Sequence, residues 1–215
     1  MPKKFFKGGI NMIKIYGAKM GSAFRCHVLM LEMGIKYEEV KVDFEKGDQF
    51  KPEYLKLNPN GKIPCIVDGD FVLWESMAIN RYIATKYNSE LLGKTLEENA
   101  LIDQWSYWSI LEVQANLYSI AFQKFRVPEA ERDEKAIKKA MDELPKVLKI
   151  LDDQLAGKEY ILGSRFTLAD INVASCVMAA DFAQYDYSAY KNISDWIARL
   201  NKRPSFAKIP FPSKK

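Results

Sequence analysis

The chain has 215 residues, 48% apolar and 28% charged, with a net charge of +4 at pH 7. That length can bury a sizeable core in one large domain or two small ones, and the mixture is that of an ordinary globular protein. The charge is mild and its lysines lie among carboxylates, so apart from the short basic ends, Lys3-Lys4-Lys7 and Lys214-Lys215, no single-sign field for nucleic acid is expected. No apolar run is long enough to span a membrane, and no apolar segment of a signal peptide follows the basic start. Three cysteines, Cys26, Cys65 and Cys176, make neither a CxxC pair nor a Cys/His metal spacing. Buried thiols in a reducing, cytoplasmic compartment and no bound metal are the expectation.

Residues 1–11 read as a flexible extension, and the ordered pattern begins at Met12. Met12–Tyr16 is short, β-branched and partly alternating, which predicts a strand. Ser22–Met33 is a predicted helix, largely buried and stopped by Gly34, a residue suited to the position just past a helix end. Tyr37–Asp43 alternates around Val40 and Val42 and predicts a second strand. Glu45–Lys56 is polar and irregular. Ile63–Val67 and Phe71–Trp74 are predicted strands joined at Asp68-Gly69-Asp70, a strong hairpin signal. Glu75–Tyr87 then puts Ile79, Tyr82, Ile83 and Tyr87 on one helical face. The order β-α-β…β-β-α is that of a thioredoxin-like domain.

Strand signals vanish near Asn88. Leu101, Trp105, Trp108 and Ala115 lie at helical spacing. A second stripe, Ile137, Met141, Leu144, Leu148, Leu151 and Leu155, contains Pro145, which predicts a kink or a break. Thr167-Leu168-Ala169-Asp170 has the form of a capping box with a short acid. The predicted helix it opens, Leu168–Phe182, is apolar nearly all round and belongs at a domain centre. Ile193–Leu200 is a last short helix. The fold class is therefore α/β plus all-α, a thioredoxin-like domain over 12–87 followed by an all-helical domain over 88–215.

The segments Asn58-Pro59-Asn60-Gly61-Lys62-Ile63-Pro64, Trp74-Glu75-Ser76-Met77-Ala78-Ile79 and Phe166-Thr167-Leu168-Ala169-Asp170 resemble three motifs of the cytosolic glutathione transferases. Asp103-Gln104-Trp105 is similar to bacterial members near the theta, phi and beta classes. The resemblance runs from about Met12 to Pro210. It implies an enzyme that conjugates the thiolate of glutathione, its co-substrate, to a hydrophobic electrophile, with no metal. It also implies a cis Pro64 that exposes the backbone of Ile63 to the tripeptide. Ser76 at its helix start and Glu75 would take the γ-glutamyl group, and Asp103 would approach that group across a dimer interface. Gln49, Lys51 or Lys62 would meet the glycyl carboxylate.

A hydroxyl donor beside the sulfur favours the thiolate, because a hydrogen bond to the anion stabilises it, and the resemblance implies that this donor lies just after the first strand. Where similar bacterial sequences carry serine this chain has Gly21, and the hydroxyl comes one residue later, at Ser22. Ser22 and Tyr16 are the catalytic candidates, with backbone N–H groups near Gly21 a third possibility; Ser22 equally suits a helix N-cap. Cys26 reads as an inert buried thiol and His27 as a packed or surface residue. The acceptor would lie against Met20, Tyr107, Trp108, Leu111 and Tyr118. The family also implies a homodimer, into whose partner Phe50 could plug. A glutathione-dependent reductase, peroxidase or isomerase, and a non-catalytic binding module, stay open as alternatives.

Overall fold

Four short strands form one mixed sheet of order β2-β1-β3-β4. The structure, a computed structural model, describes residues 12–209; the extension read over 1–11 lies outside the described residues. β1 (Ile13–Tyr16) pairs parallel with β2 (Tyr37–Val40) and antiparallel with β3 (Cys65–Asp68). β3 pairs antiparallel with β4 (Phe71–Trp74), with Asp68 opposite Phe71, so Gly69-Asp70 is a two-residue turn with Gly69 at φ +63°.

Side chains alternate across this sheet. Ile13 and Ile15 are buried on the face that carries helices α1 (Phe24–Glu32) and α3 (Ser76–Lys86), and Ile66 opposite Ile15 joins them. Tyr16 and its neighbour Cys65 point the other way, into a small cluster with Val42 and Tyr54. Helix α1 ends as expected: Gly34 sits at φ +64°, and the Gly34 and Ile35 N–H groups donate to the carbonyls of Leu31 and Met30. Those two bonds satisfy carbonyls the helix end would leave free.

Several boundaries differ from the pattern reading. The segment at Ser22 is a 3₁₀ turn over Gly21–Ala23, and α1 proper begins at Phe24. The polar stretch Glu45–Lys56 is not wholly irregular. It holds a 3₁₀ turn, Asp48–Phe50, and a one-turn helix, α2 (Pro52–Leu55), with Pro52 in the first helical position where its missing N–H costs nothing.

The second domain is helical: α4 (Leu96–Trp108), a π-helical segment (Ser109–Gln114), α5 (Ala115–Arg126), α6 (Glu134–Leu155), α7 (Leu168–Val177), α8 (Ala179–Ala183), α9 (Lys191–Asn201) and α10 (Pro204–Ala207). Pro145 does not break α6. It lies on the exposed side, where water can take the carbonyl its missing N–H leaves free. The expected Leu168–Phe182 helix divides at Met178, whose ψ of −16° tightens the backbone toward 3₁₀ geometry.

All ten residues of α7 are buried, and α7 packs against α1, α3 and α4. Its start is fixed by Asp170, which accepts from the Thr167 N–H (2.8 Å), the Ile161 N–H (2.9 Å) and the Trp196 Nε1–H (3.0 Å). The expected capping box is present. One continuous hydrophobic cluster joins the sheet, α1 and α3 to the helices of the second domain. Among the described residues no helix is long and apolar enough to cross a membrane.

Candidate functional site

The loop after β1 and the loop before β3 come together at glycine. Gly17 has φ +125°, and a Cβ there would lie 3.0 Å from Ile63 Cβ, so only glycine permits this approach. The Ile63–Pro64 bond is cis. Tyr54 Oη and Asn58 Nδ2 both donate to the Lys62 carbonyl at 2.6 Å, which pins the loop. Among the described residues neither the N–H nor the C=O of Ile63 makes a backbone hydrogen bond, so a strand edge stands free there.

The turn at Asp48–Phe50 leans on this loop: a Cβ at Gly61 would meet the Gln49 carbonyl oxygen at 3.1 Å and the Phe50 ring at 3.2 Å. Gln49 is buried, yet its Oε1 has no hydrogen-bond partner among the described residues. An orphaned buried acceptor of this kind is costly. Lys51 is held 2.7 Å from Asp48, and Lys62 is exposed.

Helix α3 follows β4, whose last residue, Trp74, pairs with Cys65 just past Pro64. Glu75, its N-cap, has φ +73° and ψ 110°, a backbone that costs an L-residue of the order of 1–3 kcal/mol. Ser76 is buried, and its Oγ accepts from Arg25 Nη1 at 2.9 Å. Asp103 is engaged within the chain by Arg81, whose Nε donates to it at 3.1 Å.

Ser22 does not cap a helix: neither the 3₁₀ turn nor α1 has a side-chain cap bond at its start. Its Oγ instead accepts from Gln114 Nε2 at 3.4 Å, and the Tyr118 hydroxyl lies beside it. Gly21, at φ +53°, holds a conformation that disfavours serine, and a Cβ there would stand 3.7 Å from the Tyr118 hydroxyl. Tyr16 lies elsewhere, its ring 6.0 Å from that of Tyr54 in the small cluster on the opposite face of the sheet from α1.

Of the expected acceptor wall, Tyr118 is the residue brought against the Gly21–Ser22 loop by a recorded contact. Met20, Tyr107 and Leu111 are exposed, and Trp108 stacks edge-on against Trp105 at 5.0 Å. Two surface hollows, of about 460 and 540 Å³, are lined by none of these site residues.

Two residues at this site had no functional reading in the sequence. Arg25 is 0% exposed and has no carboxylate within ion-pair distance among the described residues. Gln114 ends the π-helical segment and bridges Arg25 to Ser22. An arginine at the start of a largely apolar helix was the available signal for Arg25; Gln114 gave none.

His27 is buried between Tyr37 Oη (2.9 Å from Nδ1) and the Gly17 carbonyl (3.0 Å from Nε2). The carbonyl requires Nε2 to donate, and burial lowers the ring's pKa, so a neutral ring anchors the loop after β1. Burial pushes the Cys26 thiol up to about 12 and Cys65 up to about 11. All three cysteines are buried and free. A disulfide reagent such as Ellman's is therefore expected to find no fast-reacting thiol in the native protein and all three after unfolding; one equivalent reacting at once in the native state would contradict the inert reading.

Comparison with known proteins gives the family. Residues 12–85 match the family profile described as "Glutathione S-transferase, N-terminal domain", and residues 113–204 match "Glutathione S-transferase, C-terminal domain". The chain is similar to Glutathione S-transferase F10 of Arabidopsis thaliana, 41% identical over 74% of this chain and 77% of that protein. A solved structure of glutathione S-transferase-I bound with lactoylglutathione is 33% identical, with TM-score 0.79, over 93% of this chain and 98% of the other. A glutathione transferase family member from Pseudomonas fluorescens, solved with two glutathione bound, is 26% identical with TM-score 0.86 over 94% and 93%.

The chain belongs to the glutathione S-transferase family. Curated relatives at 32–41% identity come from the plants Arabidopsis thaliana, Oryza sativa and Zea mays, which corrects the bacterial placement suggested by Asp103-Gln104-Trp105.

Proposed function

We propose that the protein is a glutathione transferase that holds glutathione in the first domain and presents its thiolate, at Ser22, to a hydrophobic electrophile. The observation that carries this reading is the connected arrangement of a free backbone edge at Ile63, the start of α3 at Ser76, and a Ser22 hydroxyl that caps nothing. An extended peptide adds to the Ile63 edge as a further strand would. Its γ-glutamyl carboxylate falls at the positive end of α3, near Ser76 and Glu75, and its glycyl carboxylate toward Gln49, whose amide NH₂ can donate to it, with Lys51 and Lys62 at the rim.

Ser22 is preferred over Tyr16 as the activating group. Ser22 stands beside Tyr118 at the start of α1, while Tyr16 packs on Tyr54 across the sheet. The acceptor then meets the Tyr118 side of the site, with Met20, Tyr107, Trp108 and Leu111 as its apolar surroundings.

Within the family we place the chain nearest the phi class, on the strength of its plant relatives. We divide its domains near residue 88 and take the working form as a cytoplasmic homodimer. The exposed Phe50 ring is the contact offered to the second copy, and Asp103 approaches the partner's glutathione.

Glutathione binding tests the site. Ser76→Ala is expected to weaken it by about 1–3 kcal/mol in calorimetry, because a buried carboxylate loses a donor. An affinity equal to that of the parent protein would move the γ-glutamyl group away from α3.

A further inference from the structure

We propose that Arg25 and Gln114 are positioning residues, which fix the Ser22 hydroxyl as a hydrogen-bond donor to bound glutathione and tie that role to Ser76. The inference rests on the assignment of Ser22 as the activating group.

The chain of reasoning begins at the buried guanidinium. Arginine has donors only. Arg25 Nε donates to Ser175 Oγ at 2.6 Å, Nη1 to Ser76 Oγ at 2.9 Å, and Nη2 to Gln114 Oε1. Nη2 also approaches Cys176 Sγ at 3.4 Å, and that thiol is 3.5 Å from Gln114 Oε1. Everything facing that end of the Gln114 amide can donate, so its oxygen must point inward. The amide nitrogen is then forced outward, toward Ser22.

An amide NH₂ also only donates, so Ser22 Oγ must accept from it. A serine hydroxyl has one proton and two lone pairs. With Gln114 occupying a lone pair, the proton is directed away from the protein interior. The Tyr118 hydroxyl beside Ser22 is a neutral and therefore weak competitor for it; a thiolate forms the stronger, charge-assisted bond. Ser76 is treated in the same way by Arg25 Nη1, so one buried cation sets the polarity of both hydroxyls. Gln114 reaches this position from the last residue of a π-helical segment, the kind of helix irregularity that recurs at functional sites.

The test replaces the outward amide with an acceptor of the same shape. Gln114→Glu keeps the contact with Arg25 as an ion pair, so the protein should fold, but it offers Ser22 an oxygen and draws its proton inward. Thiolate absorbance of the glutathione complex, titrated with pH, reads the result. The bound thiol is expected to titrate about one pH unit higher, leaving about tenfold less thiolate near neutral pH. The rate constant kcat should fall in step while KM for glutathione changes little.

The added negative charge could also act directly on the sulfur, and the double variant separates the two routes. In a Ser22→Ala background Gln114→Glu should move the titration no further. An unmoved titration in Gln114→Glu, or an equal further shift in the Ser22→Ala background, would overturn the proposal while leaving Ser22 in its role. A titration unmoved by Ser22→Ala alone would instead remove the Ser22 assignment and this proposal with it. Should Gln114→Glu fail to fold, Gln114→Leu removes the outward donor without a charge, and a titration unchanged from the parent there would equally overturn the proposal.

Discussion

Ser22→Ala is expected to lower kcat for conjugation about 100-fold near neutral pH, as loss of one preorganised donor to a reacting anion does elsewhere. A free thiol has a pKa of about 8.5, so little of it is ionised at neutral pH. Ser22 stands at the first turn before α1, where its hydroxyl and the helix end both favour an anion. In the proposed site the Ile63 edge and the α3 start hold the tripeptide elsewhere, so removing the hydroxyl should leave glutathione bound and change KM for it far less than kcat. The deficit should also shrink as the pH is raised toward 8.5, where solvent rather than the protein removes the proton. Steady-state kinetics with a chloronitrobenzene acceptor across pH give both readings. A variant as fast as the parent, with the loss appearing instead in Tyr16→Phe, would transfer the role to Tyr16.

Asp170→Ala is expected to be the most damaging substitution for stability, costing about 3–5 kcal/mol. It would strand the N–H groups of Ile161 and Thr167 and the Trp196 indole N–H inside the protein. A typical domain has only about 5–15 kcal/mol in total. Asp170→Asn should be milder. Burial pushes the Asp170 carboxyl up even against its donors, so the ionised group carries a desolvation cost that a neutral amide lacks. Urea unfolding followed by circular dichroism measures both variants. A midpoint for Asp170→Ala within error of the parent would mean that α7 is anchored by its packing alone.

Features that depend on a few neighbouring residues were legible in the sequence. Gly34 closes α1, Gly69 turns the β3–β4 hairpin, and Thr167 with Asp170 opens α7, each because the local backbone demands that residue type. Alternation in β1 separated Ile15 from Tyr16, yet the pattern does not say which face of a sheet carries ligand. Ser22 suited a cap by position; that Gln114 and Tyr118, about ninety residues away, stand beside it is something no local window contains. Arg25 is stabilised by Ser76, Gln114 and Ser175, partners brought together by the packing of α1 against the second domain, which no window of the sequence contains. Pro145 misled for the opposite reason: the rule about proline is local, while its exposure on α6 is set by the fold.

A crystal structure of the protein with bound glutathione tests the assembled site most directly. The account predicts the cysteinyl backbone paired with Ile63, the γ-glutamyl carboxylate at the first turn of α3, and the sulfur within hydrogen-bonding distance of Ser22 Oγ. A tripeptide bound away from Ile63, or a sulfur facing Tyr16 Oη with Ser22 turned inward, would contradict it.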